Sequence, residues 1–304
     1  MTPAGHLLSG YLAGEWIAAG EDRWRVIGAA LLASIAPDCD VALGLLGGWA
    51  GASAHRGATH SLLGALVAAA LTWVILRGRG TRAPAAAFAG VLTHIFWDWL
   101  NFWGVRPLWP WQIPFRANLL HESDLWATGI LALAALLMWR KRRRASAATL
   151  VLLVLYTGLQ VRWRSRALEL ASAELAGQRA AVYPTGQLGC GWIALASGGG
   201  TMSSHCVSSP WAGRLRPVRR VEVRDDFFTR ASAESPRVGE FREKIPFPFA
   251  EVERRPDGGA RVVWRDLRVA HEEGPGKPPS GLHVRLDAAG AILSERHQWR
   301  LILW

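Results

Sequence analysis

Apolar positions along this chain come in blocks. Six apolar runs, at residues 7–19, 26–36, 61–76, 83–100, 125–139 and 147–161, are separated by short polar connections. Runs of this kind predict helices, and six of them within 162 residues predict an α-helical transmembrane bundle with up-and-down connections. Each run is shorter than the ~20 residues of a full span, so the reading relies on snorkelling flanks or a thinned bilayer. From residue 163 the chain turns polar, Arg-rich and punctuated by Gly and Pro. Positions 218–224 and 261–265 alternate, and 282–286 and 291–295 flank Asp287-Ala288-Ala289-Gly290, a hairpin signal. The predicted architecture is a membrane-embedded helical domain over 1–162, of about six helices, followed by a small β-rich extracytoplasmic domain over 163–304.

The polar connections alternate in character. Arg23 and Arg25, then Arg77, Arg79 and Arg82, then the run Arg140, Lys141, Arg142, Arg143 and Arg144 occupy every second connection. In an up-and-down bundle these fall on one side, and the positive-inside rule makes that side cytoplasmic. The remaining ends carry His6, Asp38, Asp40, His55, His60, His94, Asp98, His121 and Asp124. Antiparallel alternation therefore predicts that these residues share the opposite face, and that the sixth run delivers the polar half to it. Trp97, Trp99, Trp103, Trp109, Trp111 and Trp126 crowd the same face, as Trp does at membrane interfaces.

Composition refines this picture in two places. The net charge of +11 could suggest nucleic acid, but the densest basic run abuts an apolar segment, as a juxtamembrane topology signal does, so no nucleic-acid partner is expected. Of the three cysteines, Cys39 sits within Pro37-Asp38-Cys39-Asp40, while Cys190 and Cys206 lie in the polar half, either as one disulfide or as two free thiols.

The clustered residues are of metal-ligand types, His with carboxylate, which suits zinc, manganese or iron. His94 and Asp98 are four apart, on one helix face, and can reach one ion or two adjacent ions. Asp38 and Asp40 close an apolar helix, where two carboxylates oppose the helix dipole and call for a compensating cation. His55-Arg56-Gly57-Ala58-Thr59-His60-Ser61 places two His and an Arg just before a helix that Ser61 or Thr59 could cap. Arg56 beside helix-start N–H groups makes an anion site. Asp124 is the stronger ligand candidate in the His121-Glu122-Ser123-Asp124 loop, and Asn101 is a candidate hydrogen-bonding partner of the site. His205, His271, His283 and His297 are scattered and read as surface residues.

The order of an early His, Pro-Asp-Cys-Asp, the His-Arg-Gly-Ala-Thr-His-Ser heptad, and His94 to Asp98 followed by Trp-Leu-Asn and a loop over 104–114 resembles the LexA-regulated, membrane-bound metal-dependent hydrolases, the YdjM-like inner-membrane proteins. The resemblance covers about residues 1–140, and the heptad is its most specific part. It implies a metal-dependent hydrolase of the bacterial inner membrane. A looser likeness, in motif type and order only, links the chain to zinc-dependent phospholipase C and single-strand nucleases. The resulting expectation is a hydrolase of phosphoester or lipid-linked substrates. His6, Asp38, Asp40, His55, His60, His94, Asp98 and Asp124 are its metal-ligand candidates for two or three divalent ions, zinc or else manganese. Arg56 and Asp98 are the catalytic candidates, with a metal-activated water as nucleophile. The alternatives are a non-catalytic membrane metal-binding or transport protein, and a β-domain binding module for which the bundle is only an anchor.

Overall fold

Helix α1 (Pro3–Ile17) starts where the Thr2 side chain accepts a hydrogen bond from Gly5 N and proline takes the first helical position. Helix α2 (Arg23–Ile35) follows and ends in a 3-10 turn, Ala36–Cys39, that carries Asp38. A second 3-10 turn, Ala58–His60, leads into α3 (Leu62–Ile75), which Ser61 caps by accepting from Gly64 N. Then come α4 (Arg82–Leu100), α5 (Leu125–Trp139) and the long α6 (Arg143–Glu174). The structure, a computed structural model, describes residues 2–18, 20, 22–40, 56–76, 82–223, 225–270 and 279–298.

The chain divides into two units. One comprises residues 1–162 with 184–186, the other residues 163–183 and 187–304. In the first, α2 lies between α1 and α4 at close range. A Cβ at Gly10 would collide with the Ser34 side chain, and one at Gly90 with the Ala30 carbonyl, so glycine at both positions is what lets the helices meet. Ala30, Ala86 and Ala87 are fully buried in this packing, while Leu12, Leu131 and Met138 join α1 to α5.

The expected six-helix transmembrane bundle is not what these runs build. Among the described residues only α6, at 32 residues, is long and apolar enough to cross a membrane. Helices α1, α2, α3 and α5 have 15, 13, 14 and 15 residues. At ~1.5 Å per residue they fall short of a ~30 Å hydrocarbon core. Helix α4 reaches 19 residues, but its last turns bury His94, Asp98 and their partners. The physical reason is composition. Much of the apolar character of α1, α2 and α4 is Ala and Gly, and several of those small residues, Gly10, Gly14, Ala30, Ala86 and Gly90 among them, are buried in the helix packing.

The ends of the helices do segregate. At one end Arg23 pairs with Glu15 at 2.5 Å and Arg143 donates to the Glu15 carbonyl. At the other end, His6, Asp38, His60, His94 and Asp98 converge. Arg77, Arg79 and His55 lie outside the described residues.

The second unit holds two four-stranded antiparallel sheets, each a meander. They are β1 (Arg179–Pro184), β2 (Trp192–Gly198), β3 (Thr201–Val207) and β4 (Arg216–Glu222), then β5 (Pro248–Arg254), β6 (Ala260–Asp266), β7 (Gly281–Leu286) and β8 (Ile292–Gln298). The last turns of α6 cover the first sheet through Ala167, Leu170 and Ala171, against Trp192, Ala194 and Val207. The anticipated Asp287–Gly290 turn connects β7 to β8. Cys190 and Cys206 are joined as a disulfide. His283 is not a surface residue: it is buried, accepting from Arg261 and bonded to the Pro279 carbonyl. His271 lies outside the described residues.

Candidate metal centre

Asp38, His60, His94 and Asp98 each point one ligand atom at a common space, all four atoms lying within 4.8 Å of one another. The chain positions them from three places. Asp38 follows the C-terminus of α2, His60 ends the 3-10 turn before α3, and His94 and Asp98 sit one turn apart near the end of α4. Asp38 Oδ1 lies 3.3 Å from His60 Nε2 and 3.4 Å from His94 Nε2. Asp98 Oδ2 lies 3.6 Å from each of the same two nitrogens. Four tetrahedral donors ~2.1 Å from one ion stand ~3.4 Å apart, so these edges have the length a zinc-type site requires.

The protonation pattern fits as well. His94 Nδ1 lies 2.7 Å from the Ser34 carbonyl oxygen, an acceptor only, so Nδ1 carries a proton and the ring is fixed with Nε2 facing the space. That Nε2 is fully buried and makes no hydrogen bond among the described residues. It lies between two carboxylate oxygens, 3.4 Å from Asp38 and 3.6 Å from Asp98, an arrangement that a cation shared among the three groups would satisfy. His60 is oriented in the same manner through Thr59. Its Nδ1 lies 3.0 Å from Thr59 Oγ1, and that hydroxyl donates to Asp40 Oδ2 at 2.5 Å. Burial pushes the Asp38 carboxyl up, but the His60 and His94 imidazoles outweigh it and hold the group well below the usual carboxylate range.

Arg56 and Asn101 frame the cluster. Arg56 adopts φ 67° and places Nη2 3.6 Å from Asp98 Oδ2, with Nη1 donating to Asn101 Oδ1 at 3.0 Å. Asn101 is buried and works as a hub. Its Oδ1 also accepts from Trp103 N and Gly104 N, and its Nδ2 donates to Asp98 Oδ1 at 3.2 Å. His6 stacks on His94 with ring centroids 3.8 Å apart, and its Nε2 is 3.6 Å from Asp98 Oδ1.

The family model for the YdjM inner membrane protein matches residues 1–167, the whole stretch that builds this centre. The chain belongs to the YdjM family. It is 34% identical over 140 residues to the inner membrane protein YdjM of Escherichia coli (strain K12), covering 40% of this chain and 71% of that one. The Shigella flexneri protein of the same name matches to the same extent. No solved structure matches. The protein is thus a membrane protein of the YdjM family with one cluster, among its described residues, that could hold a metal ion.

Within this YdjM family member the other candidate ligands stand apart from the four-donor set. Asp40 meets the cluster through Thr59, with its Oδ2 3.7 Å from His60 Nδ1. His55 lies outside the described residues. Asp124 caps α5: its Oδ1 accepts from Ala127 N and its Oδ2 from the Tyr156 hydroxyl, both at 2.8 Å. Burial raises the Asp124 carboxyl, and those two hydrogen bonds oppose the rise. His121 turns its Nδ1 to Ser123 N. The sequence reading missed Tyr156 and Gln160, whose side chains bond to each other at 2.6 Å. The available signal was two polar residues four apart inside an apolar run. It also missed the Ser34 carbonyl, which no residue type announces.

Proposed function

We propose that this protein is a membrane-bound metal-dependent hydrolase of phosphoesters, lipid-linked ones included, with zinc or manganese at Asp38, His60, His94 and Asp98. The observation that carries the reading is the buried His94 Nε2, aimed between two carboxylates with its other nitrogen fixed by a carbonyl. A divalent ion there supplies Lewis acidity and a water whose pKa falls toward ~7. The protein's own groups do the rest. Asp38, His60, His94 and Asp98 would hold the ion. Asn101 and His6 fix Asp98 through Oδ1, which leaves Oδ2 on the cluster side. Arg56 gives Nη1 to Asn101 and the Gly104 carbonyl and sets Nη2 3.6 Å from Asp98 Oδ2, so its guanidinium would hold a phosphate oxygen beside Asp98. The four donors account for one ion; a second or third would need His6, Asp40 and His55.

The basic run before α6 favours a cytoplasmic start for that helix, and the Cys190–Cys206 disulfide favours an extracytoplasmic second unit. Because the metal-binding end is opposite the Arg23 and Arg143 end, the reading places the centre at the extracytoplasmic face.

Elemental analysis of the purified full chain tests this. We expect bound zinc or manganese, phosphodiester hydrolysis lost on chelation, and recovery on adding either ion back. His60→Ala or Asp98→Ala protein that keeps its full metal content would overturn the assignment.

A further inference from the structure

The connection from α4 to α5 contains a hairpin the metal chemistry leaves unused. Its stem is the antiparallel Val105–Phe115 bridge, closed by hydrogen bonds of 2.9 and 2.8 Å. The stem is tied to the centre three times. Arg106 N donates to the Arg56 carbonyl, Leu62 N donates to the Pro107 carbonyl, and Arg56 Nη1 donates to the Gly104 carbonyl. Gly104 has φ 73°, and a Cβ there would lie 2.6 Å from the Phe115 oxygen, so the stem needs glycine.

The tip is apolar and exposed. Leu108, Trp111, Ile113 and Phe115 are 42%, 68%, 54% and 39% accessible. No charged residue occurs from Pro107 to Phe115, yet Arg106 and Arg116 bracket the segment. Three prolines in this stretch bring no backbone N–H, and Trp109, Trp111 and Phe115 donate theirs to backbone carbonyls. That lowers the number of donors a medium without water would leave unsatisfied. The surface also continues onto the exposed Leu62, Leu63 and Leu66 at the start of α3. An apolar tip, a basic collar and a backbone poor in free donors match the interface of a bilayer rich in anionic lipid.

We infer that the 105–115 hairpin seats in the bilayer interface and that the site's ligand is the phosphate of a lipid headgroup, drawn from that bilayer and held by Arg56. This rests on the hydrolase reading for the fate of the lipid, but not for the seat. Arg106 and Arg116 sit at headgroup level on either side of the immersed tip. Arg56, bonded to the stem, is then presented at the depth of the phosphates.

The test uses the full chain reconstituted in phosphatidylglycerol-containing vesicles. A single environment-sensitive fluorophore is attached at Trp111→Cys, with Cys39→Ser as background and Asp257→Cys as a reference on the second unit. We expect the Trp111 label to be quenched by lipids brominated near the headgroup and protected from aqueous iodide, and the Asp257 label to behave in the opposite way. Iodide quenching at Trp111 equal to that at Asp257 overturns the proposal. Protection from both quenchers means the tip is covered by protein, by a second copy or another chain, and overturns it too. In a second arm, Trp111→Glu/Ile113→Glu protein with unchanged metal content should lose turnover of vesicle phospholipid at least about tenfold more than turnover of a soluble phosphodiester. Equal losses overturn the lipid assignment. Lipid quenching at Trp111 with no hydrolysis of either substrate upholds the seat and sinks the hydrolase reading.

Discussion

Two buried polar clusters occupy opposite ends of the α1, α2 and α4 packing, and they follow opposite rules. At the basic end Glu15 is almost inaccessible and fully engaged. It accepts from the Tyr11 hydroxyl at 2.8 Å and from Arg23 at 2.5 Å, and its carbonyl takes Arg143. Charge meets charge at contact distance, with Trp16 and Trp24 beneath the arginines. At the other end the donor and acceptor atoms face each other at 3.3 to 3.6 Å, and two imidazole nitrogens, His6 Nδ1 and His94 Nε2, make no hydrogen bond among the described residues. The first cluster is complete in the folded chain and serves architecture. The second is held open by its surroundings, by the Ser34 carbonyl, Thr59 and Asn101, in a form that could hold a metal ion.

Four experiments would break or sharpen that contrast. The largest effect should come from adding zinc to stripped protein. At a ~1,000-fold excess over Kd, binding to the folded state alone raises stability by about 4 kcal/mol, read as a higher Tm. His60→Ala should abolish the rise. Glu15→Gln should cost about 2 kcal/mol, below the usual range for a broken buried pair because Arg23 is 32% exposed, and it should keep the zinc-induced rise intact. If Glu15→Gln also abolished that rise, the two ends would not be independent. Asn101→Ala should weaken zinc binding about 10–100-fold in a chelator competition, since it releases both Asp98 and Arg56; unchanged affinity would show that they hold their places unaided. The smallest effect should be that of Tyr156→Phe, which removes one donor from Asp124. It should cost ~1 kcal/mol in thermal unfolding and leave metal content untouched, as fits a helix cap.

How much of this was legible in the sequence depends on the range of the forces involved. The run at 125–139 coincides with α5, that at 61–76 exceeds α3 by a residue at each end, and that at 83–100 begins one residue after α4 and ends with it. Local apolar patterning sets those limits. The gathering of His and Asp at one helical end was legible too, because alternation of connections is a topological constraint. The transmembrane count was not. Hydropathy registers Ala86 or Ala30 as apolar without saying that it faces a helix. The run at 147–161 likewise understated α6, whose polar last turns are helical because they pack on the first sheet. At the site, the roles of Asp40 and Asp124 turn on single hydroxyl contacts with Thr59 and Tyr156, which only the fold brings into reach. Strands β1 to β3 carry buried residues on both faces and lack the alternation of exposed and half-buried positions that revealed part of β4.

The glycines of the helical unit bear on which ion the candidate centre would accept. Gly10 lies against Ser34, whose carbonyl steers His94, and Gly90 lies against Ala30 one turn before that histidine. With no side chain at these crossings the backbones approach closely, and separating them to suit a larger guest would sacrifice that packing. A cage with stiff walls sorts ions by radius and preferred coordination number, and turns away calcium, which asks for six to eight oxygens at ~2.4 Å. Selectivity at the centre would then be set behind the ligands, by residues that never touch the ion.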